Sequence, residues 1–295
     1  VAIMANKGKY YESQFEEATI ELLREAHWQD TFGDDIHRKY TDPLIEEDLR
    51  NFLAVQYKDK NLTTSEIDGV VANLRNTGGQ NDYYALRNTF LLYRDGYDFA
   101  YNDGRNNPFR LEYIDFEHPD HNIFRCVNQF VMEQGRENRR PDILLFINGI
   151  PVCIIELKNP TKQNATIRDA HTQICTRYMR DIPALLKYCA LAVISDGAKN
   201  ALGTTYTPFE FFYEWKKIEN EDKAGKGLDT LRTLIRGALS PERILEILRD
   251  YVYFPDPTKE DDTTEIVCRY PQFFATRKLR EHILNHLRSV GGDGK

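Results

Sequence analysis

The sequence predicts an α/β domain, and three observations carry the prediction. Near the amino end, Phe15, Ile20, Leu22 and Leu23 recur at roughly helical spacing. The middle of the chain is rich in aromatics and alternates in a strand-like way. Residues 140–160, RPDILLFINGIPVCIIELKNP, form an apolar run divided by Asn148-Gly149, a strong short-range hairpin signal. With 295 residues, the chain is long enough for one large domain, or for a domain and a piece of another. The longest apolar run is interrupted by Asn148-Gly149 and Pro151, so no segment is expected to span a bilayer. The opening VAIMANKGKY lacks the apolar core of a signal peptide. Five scattered cysteines suit free thiols in a reducing cytosol, so the expected location is cytoplasmic. The net charge of −7 requires any nucleic-acid affinity to come from a local basic surface or from partners. Arg136/Arg139/Arg140, Arg168/Arg177/Arg180 and Arg277/Lys278/Arg280 are the basic clusters, each also readable as a solvated face.

Taken in order, residues 11–26, 43–58 and 63–76 read as helices, with Thr63-Thr64-Ser65-Glu66 offering a cap to the third. Residues 89–102 and 110–116 read as strands around Asp95-Gly96, and 123–133 continues that pattern. The apolar run then supplies two strands. A helix is expected over about 165–180, a buried strand at 189–195, a turn at Asp196-Gly197 and a strand near 209–215. Residues 220–229 read as a charged loop, 240–252 as a helix capped by Ser240 with Pro241 in its first turn, and 255–265 as a linker. A basic amphipathic segment, 269–287, ends the sequence pattern.

The charges at the ends of the apolar run need their own explanation. Asp142 opens it, and Glu156 and Lys158 close it. Hydrolysis of a phosphodiester must bring an anionic nucleophile to an anionic phosphate. Carboxylates holding Mg²⁺, with an ammonium nearby, answer that need. Glu156 and Lys158 are two apart, so on a strand they share a face. Asp142 joins that face only if the turn is a three-residue loop with Gly149 at positive φ, or if a bulge lies between Asp142 and the turn. The bland alternative is a buried hairpin with solvated charged ends. His118/His121 and His282/His286 are spaced to ligate zinc, but neither pair has a nearby third ligand such as a cysteine pair, and neither is assigned.

RPDILLFINGIPVCIIELKNP resembles the PD-(D/E)xK nuclease motif, and more narrowly the amino-terminal nuclease domain of the restriction and motor (R) subunit of type I restriction-modification enzymes. ESQFEEATIELL (12–23), NIFRCVNQFVME (122–133) and RDIPALLKYCALAVISDGAKNALGT (180–204) extend the resemblance over most of residues 10–215. The resemblance implies a restriction-endonuclease-like mixed sheet flanked by helices, with a helical linker at the carboxyl end. It implies Asp142 and Glu156 as ligands of Mg²⁺, with Glu16 as a further acid near the metal, and Lys158 as the catalytic lysine. Glu12 and Glu17 compete with Glu16 for that role. The family carries Gln and Tyr four apart on the next helix, whereas here Gln173 and Tyr178 are five apart. Either a one-residue bulge restores Tyr178 to the face of Gln173, or Arg177 takes the tyrosine's place.

RYPQFFATRKLREHI (269–283) resembles the adenine-recognition segment ahead of the family's first motor motif, with Gln272 as the adenine reader and Arg269 beside it. No G-x-x-x-x-G-K-[ST] loop occurs in the sequence. The expected division is therefore an endonuclease domain at 1–239, and a linker with the truncated start of an ATP-dependent motor at 240–295. ATP is expected to serve only the full-length motor. The implied partners are double-stranded DNA and the modification and specificity subunits, with no membrane. The competing readings are a stand-alone repair or recombination nuclease of the same fold, and a non-catalytic DNA-binding or assembly module. Convergence of Asp142, Glu156 and Lys158 on one pocket discriminates against the last.

Overall fold

The apolar run forms the two central strands of a six-stranded sheet. A computed structural model describes residues 2–158, 166–219, 225–255 and 263–288. The long helix α1 (Ala2–Glu25) leads to strand β1 (Gln29–Phe32), followed by helices α2 (Glu46–Gln56), α3 (Thr64–Asn76) and α4 (Asp82–Asp95). A two-stranded ribbon, β2 (Tyr97–Phe99) with β3 (Phe109–Leu111), precedes β4 (Phe124–Asn128). A second ribbon, β5 (Met132–Gln134) with β6 (Glu137–Arg139), precedes the hairpin β7 (Ile143–Ile147) and β8 (Ile150–Leu157). Helix α5 (Ile167–Thr172) runs through a π-helical turn, Gln173–Tyr178, into α6 (Met179–Asp181) and α7 (Pro183–Leu186). Strands β9 (Leu191–Ser195) and β10 (Asn200–Gly203) follow. Then come α8 (Leu228–Leu234), a second π-helical turn at Ile235–Leu239, α9 (Pro241–Asp250), the short pair β11 (Val252–Tyr253) and β12 (Ile266–Val267), and α10 (Tyr270–Arg288).

The sheet order is β1-β4-β7-β8-β9-β10. The β1–β4 and β8–β9 pairs are parallel and the others antiparallel, which makes the sheet mixed. Every residue of β7, β8 and β9 is buried, as expected for strands covered on both faces. One face packs Ile143, Leu145, Cys153 and Ile155 against α1 to α4, α8 and α9. The other packs Leu144, Phe146, Ile154 and Ile194 against Ala170, Ile174 and Tyr178 of the α5 region. Each fully buried Ile or Leu contributes on the order of 1.5–3 kcal/mol relative to exposure. Ile244, Leu248 and Phe273 lie in the same buried cluster as the residues beneath α1 to α4. Among the described residues, no helix is long and apolar enough to cross a membrane. All five cysteines are free thiols.

The hairpin meets the face requirement through a bulge. Asn148 and Gly149 form a two-residue turn with φ of 51° and 77°, the twist that suits a tight hairpin. Ile147 pairs with Ile150 and Phe146 with Pro151, but Leu145 pairs with Cys153. Val152 is therefore an extra residue on β8. Pro151 donates no backbone hydrogen bond, so the ladder is already weak beside the bulge. Of the two devices that bring Asp142 to the face of Glu156, the chain uses the bulge.

Several local expectations need correction. Residues 89–95 are helical: Leu86, Phe90 and Tyr93 are buried at helical spacing, and Asn81 caps α4 by accepting from the Tyr84 N–H at 3.0 Å. Aromatic content mimicked a strand there, and the strand begins only after Gly96, whose φ is 71°. Residues 209–215 hold a 3₁₀ turn at Phe209–Phe211 and a single bridge from Tyr213 to Leu202, because Pro208 introduces a turn. Ser240 takes the N-cap position of α9 and its carbonyl accepts from the Ile244 N–H at 2.9 Å, but its hydroxyl donates to the Arg236 carbonyl at 3.2 Å and makes no side-chain cap. The α8 segment falls partly where a loop was expected, while 220–224 and 256–262 of the expected loop and linker lie outside the described residues. Thr63 and Glu66 do form a reciprocal capping box.

Candidate active site

The site lies where β7 begins and β8 ends, at the opposite end of the hairpin from its turn. Continuing the register beyond Ile143 and Ile155 sets Asp142 across from Glu156, on the face that the α5 region covers. Asp142 Oδ2 accepts from the Leu157 backbone N–H at 2.7 Å, which fixes the acid against the end of β8. Glu156 is 1% exposed, so its carboxylate depends on protein partners. Its Oε1 accepts from Lys158 Nζ at 2.6 Å, and its Oε2 from the Tyr178 hydroxyl at 3.3 Å. Lys158 Nζ also donates to Gln173 Oε1 at 2.7 Å, and Gln173 Nε2 donates to the Tyr178 hydroxyl at 2.7 Å. These four side chains close a hydrogen-bonded ring. Burial, with Asp142 adding to it, pushes the Glu156 carboxyl up to about 8, while Lys158 and Tyr178 oppose the shift.

The π-helical turn decides between Arg177 and Tyr178. In a regular α-helix, residues five apart point about 140° apart. The wider turn over Gln173–Tyr178 brings Gln173 and Tyr178 together and leaves Arg177 exposed. Removing Arg177 would leave Gln and Tyr four apart in an unbroken helix. This deletion is expected to keep the hydrogen bond between Gln173 and the tyrosine, since it removes the bulge together with the residue that causes it, and a structure of the variant checks it. A variant structure with the tyrosine turned away from Gln173 would show that the bulge itself is needed.

The remaining candidates lie outside this ring. Glu16 lies at the same sheet end, where its carboxylate accepts from Asn128 Nδ2 at 2.9 Å and from Gln129 Nε2 at 2.9 and 3.0 Å. The Gln129 backbone N–H in turn reaches the Asp142 carbonyl at 3.4 Å. Glu17 is exposed, and the Glu12 side chain lies outside the described residues. Sequence reasoning does not single out Asn128 and Gln129. The available signal is that they end and follow the strand beside β7, but the positive φ of Gln129, 56°, is not readable from its neighbours. Arg269 and Gln272 stand at the start of α10, where Gln272 Oε1 accepts from the Arg269 N–H at 2.9 Å as a helix-capping contact. The Arg269 guanidinium lies 4.8 Å from the centre of the Tyr213 ring.

A mixed sheet flanked by helices, with two acids and a lysine gathered at the end of its central hairpin, defines a restriction-endonuclease-like nuclease domain. Residues 9–211 match the profile of the type I restriction enzyme R protein N terminus, and the chain belongs to that family. It is 29% identical over 280 residues to the type I restriction enzyme HindI endonuclease subunit of Haemophilus influenzae, covering 90% of this chain and 26% of that protein. It is 32% identical over 235 residues to the putative type I restriction enzyme MjaIXP endonuclease subunit of Methanocaldococcus jannaschii, covering 73% of this chain and 21% of that protein. With the EcoprrI endonuclease subunit of Escherichia coli, 28% identity extends over 62% of this chain and 56% of the relative. The chain therefore spans about a quarter of the length of the first two relatives.

Proposed function

We propose that this chain is the Mg²⁺-dependent endonuclease domain of a type I restriction R subunit, hydrolysing phosphodiesters of double-stranded DNA without sequence specificity of its own. The observation that carries the reading is the meeting of Asp142, Glu156 and Lys158 at one hairpin end, tied together through Gln173 and Tyr178. The donor set fits a hard divalent cation. Two carboxylates face each other across adjacent strands, one of them almost fully buried, and a cation offsets both their repulsion and the burial of charge. Asp142 and Glu156 would hold it, with Glu16 as a further acid at the same end. When bound, Mg²⁺ neutralises phosphate charge and lowers the pKa of a coordinated water.

The chain's own groups supply the rest. Lys158 presents an ammonium beside Glu156, where it can stabilise charge developing on the phosphate or orient the attacking water. Gln173 fixes that ammonium by accepting from it, and Tyr178 fixes Gln173 by accepting from its amide. Attack by water leaves no covalent intermediate on the protein. Arg140, Arg168 and Arg177 are exposed and suit backbone phosphates, which position DNA without reading bases. Base choice then falls to a specificity subunit, within a cytoplasmic complex that also holds modification subunits.

In this reading, residues 1–239 are the nuclease domain and 240–295 begin the connection to an ATP-dependent motor. Arg269 and Gln272 would then contact adenine in the full-length protein. Asp142→Asn in the assembled enzyme tests the site. DNA cleavage is expected to fall at least ~100-fold, with ATP hydrolysis retained. Cleavage at the wild-type rate would remove Asp142 from the mechanism.

A further inference from the structure

We infer that Asp115, His118 and His121 form a second metal site, suited to a borderline ion such as Zn²⁺ and separate from the carboxylate site. His118 and His121 flank and close the 3₁₀ turn Pro119–His121, and in such a turn side chains three apart lie over one another. Their rings stack with centroids 4.8 Å apart and planes inclined by 23°. Both Nδ1 atoms converge on one oxygen, Asp115 Oδ2, at 3.3 Å from His118 and 2.9 Å from His121. All three ligand atoms lie within 4.8 Å of one another. A tetrahedral Zn²⁺ with bonds of ~2.1 Å sets its ligand atoms roughly 3.4 Å apart. Small ring rotations therefore exchange the two hydrogen bonds for two metal bonds.

The acid is built in before any ion arrives. Asp115 is 5% exposed, and its Oδ1 accepts from the backbone N–H groups of Glu117 and His118 at 3.0 and 2.9 Å. Gln56 Nε2 of α2 donates to Oδ2 at 3.0 Å. The Asp115 backbone is clamped on both sides by Asn122, whose Oδ1 accepts from its N–H at 2.9 Å and whose Nδ2 donates to its carbonyl at 2.7 Å. Asn122 Oδ1 also accepts from Asn148 Nδ2 at 2.8 Å, which ties the cluster to the turn of the central hairpin. Such outer contacts orient the ligands of a metal site. The histidines are about half exposed, so the ion has an entry path and room for a water as fourth ligand.

The ligand type separates this site from the proposed nuclease centre. Two imidazoles and one carboxylate select zinc, nickel or cobalt over Mg²⁺, whereas Asp142 and Glu156 offer only oxygen. The two clusters lie at opposite ends of β7 and β8, roughly 20–25 Å apart by strand rise. An ion here would staple the loop ahead of β4 to α2 and to the hairpin turn.

The test is a Co²⁺ titration of the metal-free chain in excess Mg²⁺, followed by visible absorption and by competition with Zn²⁺. The expected result is one equivalent of Co²⁺ with a d–d spectrum of nitrogen and oxygen ligation, displaced by Zn²⁺. Zn²⁺ should also raise the melting temperature of the wild type. His118→Ala and His121→Ala should each weaken binding at least tenfold and abolish the thermal shift, while Glu156→Gln should leave both unchanged. His121→Gln keeps a hydrogen-bonding group beside Asp115 and serves as the companion variant if an alanine variant fails to fold. No bound equivalent in the wild type would overturn the inference. So would binding that survives the His118 and His121 changes, because the ion would then sit elsewhere.

Discussion

Lys158→Ala is expected to lower DNA cleavage by the assembled enzyme at least ~100-fold while leaving ATP-driven translocation at its wild-type rate. The change removes the ammonium that donates to both Glu156 Oε1 and Gln173 Oε1. On the proposed mechanism, positive charge is thereby lost beside the reacting phosphate. The fold should survive, because Glu156 has a release. Without the opposing influence of Lys158, its already raised carboxyl takes up a proton and still meets Tyr178. On the proposed function the motor's residues are distinct from this site, so translocation is the control that separates a chemical defect from a folding defect. Loss of both activities in a folded variant would show that the two halves are not separable.

Gly149→Ala should destabilise the chain by about 3 kcal/mol, from a left-handed penalty of ~1–2 kcal/mol and an overpacking cost of ~1–3 kcal/mol. Gly149 has a φ of 77°, and a Cβ there would lie 2.1 Å from the Ile45 carbonyl oxygen and 3.2 Å from the Leu49 backbone nitrogen. That contact cannot simply open, because the Ile45 N–H donates to the Gly149 carbonyl at 2.9 Å and seats the start of α2 on the turn. The measurement is the denaturant midpoint at unchanged m-value. A shift near zero would mean that the turn and α2 move apart at little cost.

Much of the site was legible because strand parity is strict. Glu156 and Lys158 share a face by spacing alone, and requiring Asp142 to join them forces an irregularity in the hairpin. That irregularity is the extra Val152. The five-residue gap from Gln173 to Tyr178 likewise demands a bulge if both serve the site, and the π-helical turn supplies it. The choice between Tyr178 and Arg177 was not legible, since only tertiary packing shows which side chain turns inward. Glu16 is placed through Asn128 and Gln129, more than a hundred residues away, which no local pattern reports. Residues 89–95 were misread because Phe90 and Tyr93 satisfy strand composition and helical spacing alike. The third member of the histidine cluster was within reach: Asp115, His118 and His121 repeat at intervals of three, the period of a 3₁₀ turn.

The most direct test of the central claim is the position of a bound divalent cation. In crystals soaked with Mn²⁺, anomalous difference density should appear between the carboxylates of Asp142 and Glu156, and it should vanish in Asp142→Asn crystals soaked alike. Density at the histidine cluster bears only on the second site. Well-ordered carboxylates with no density between them, and Mn²⁺ bound at another group, would contradict the account.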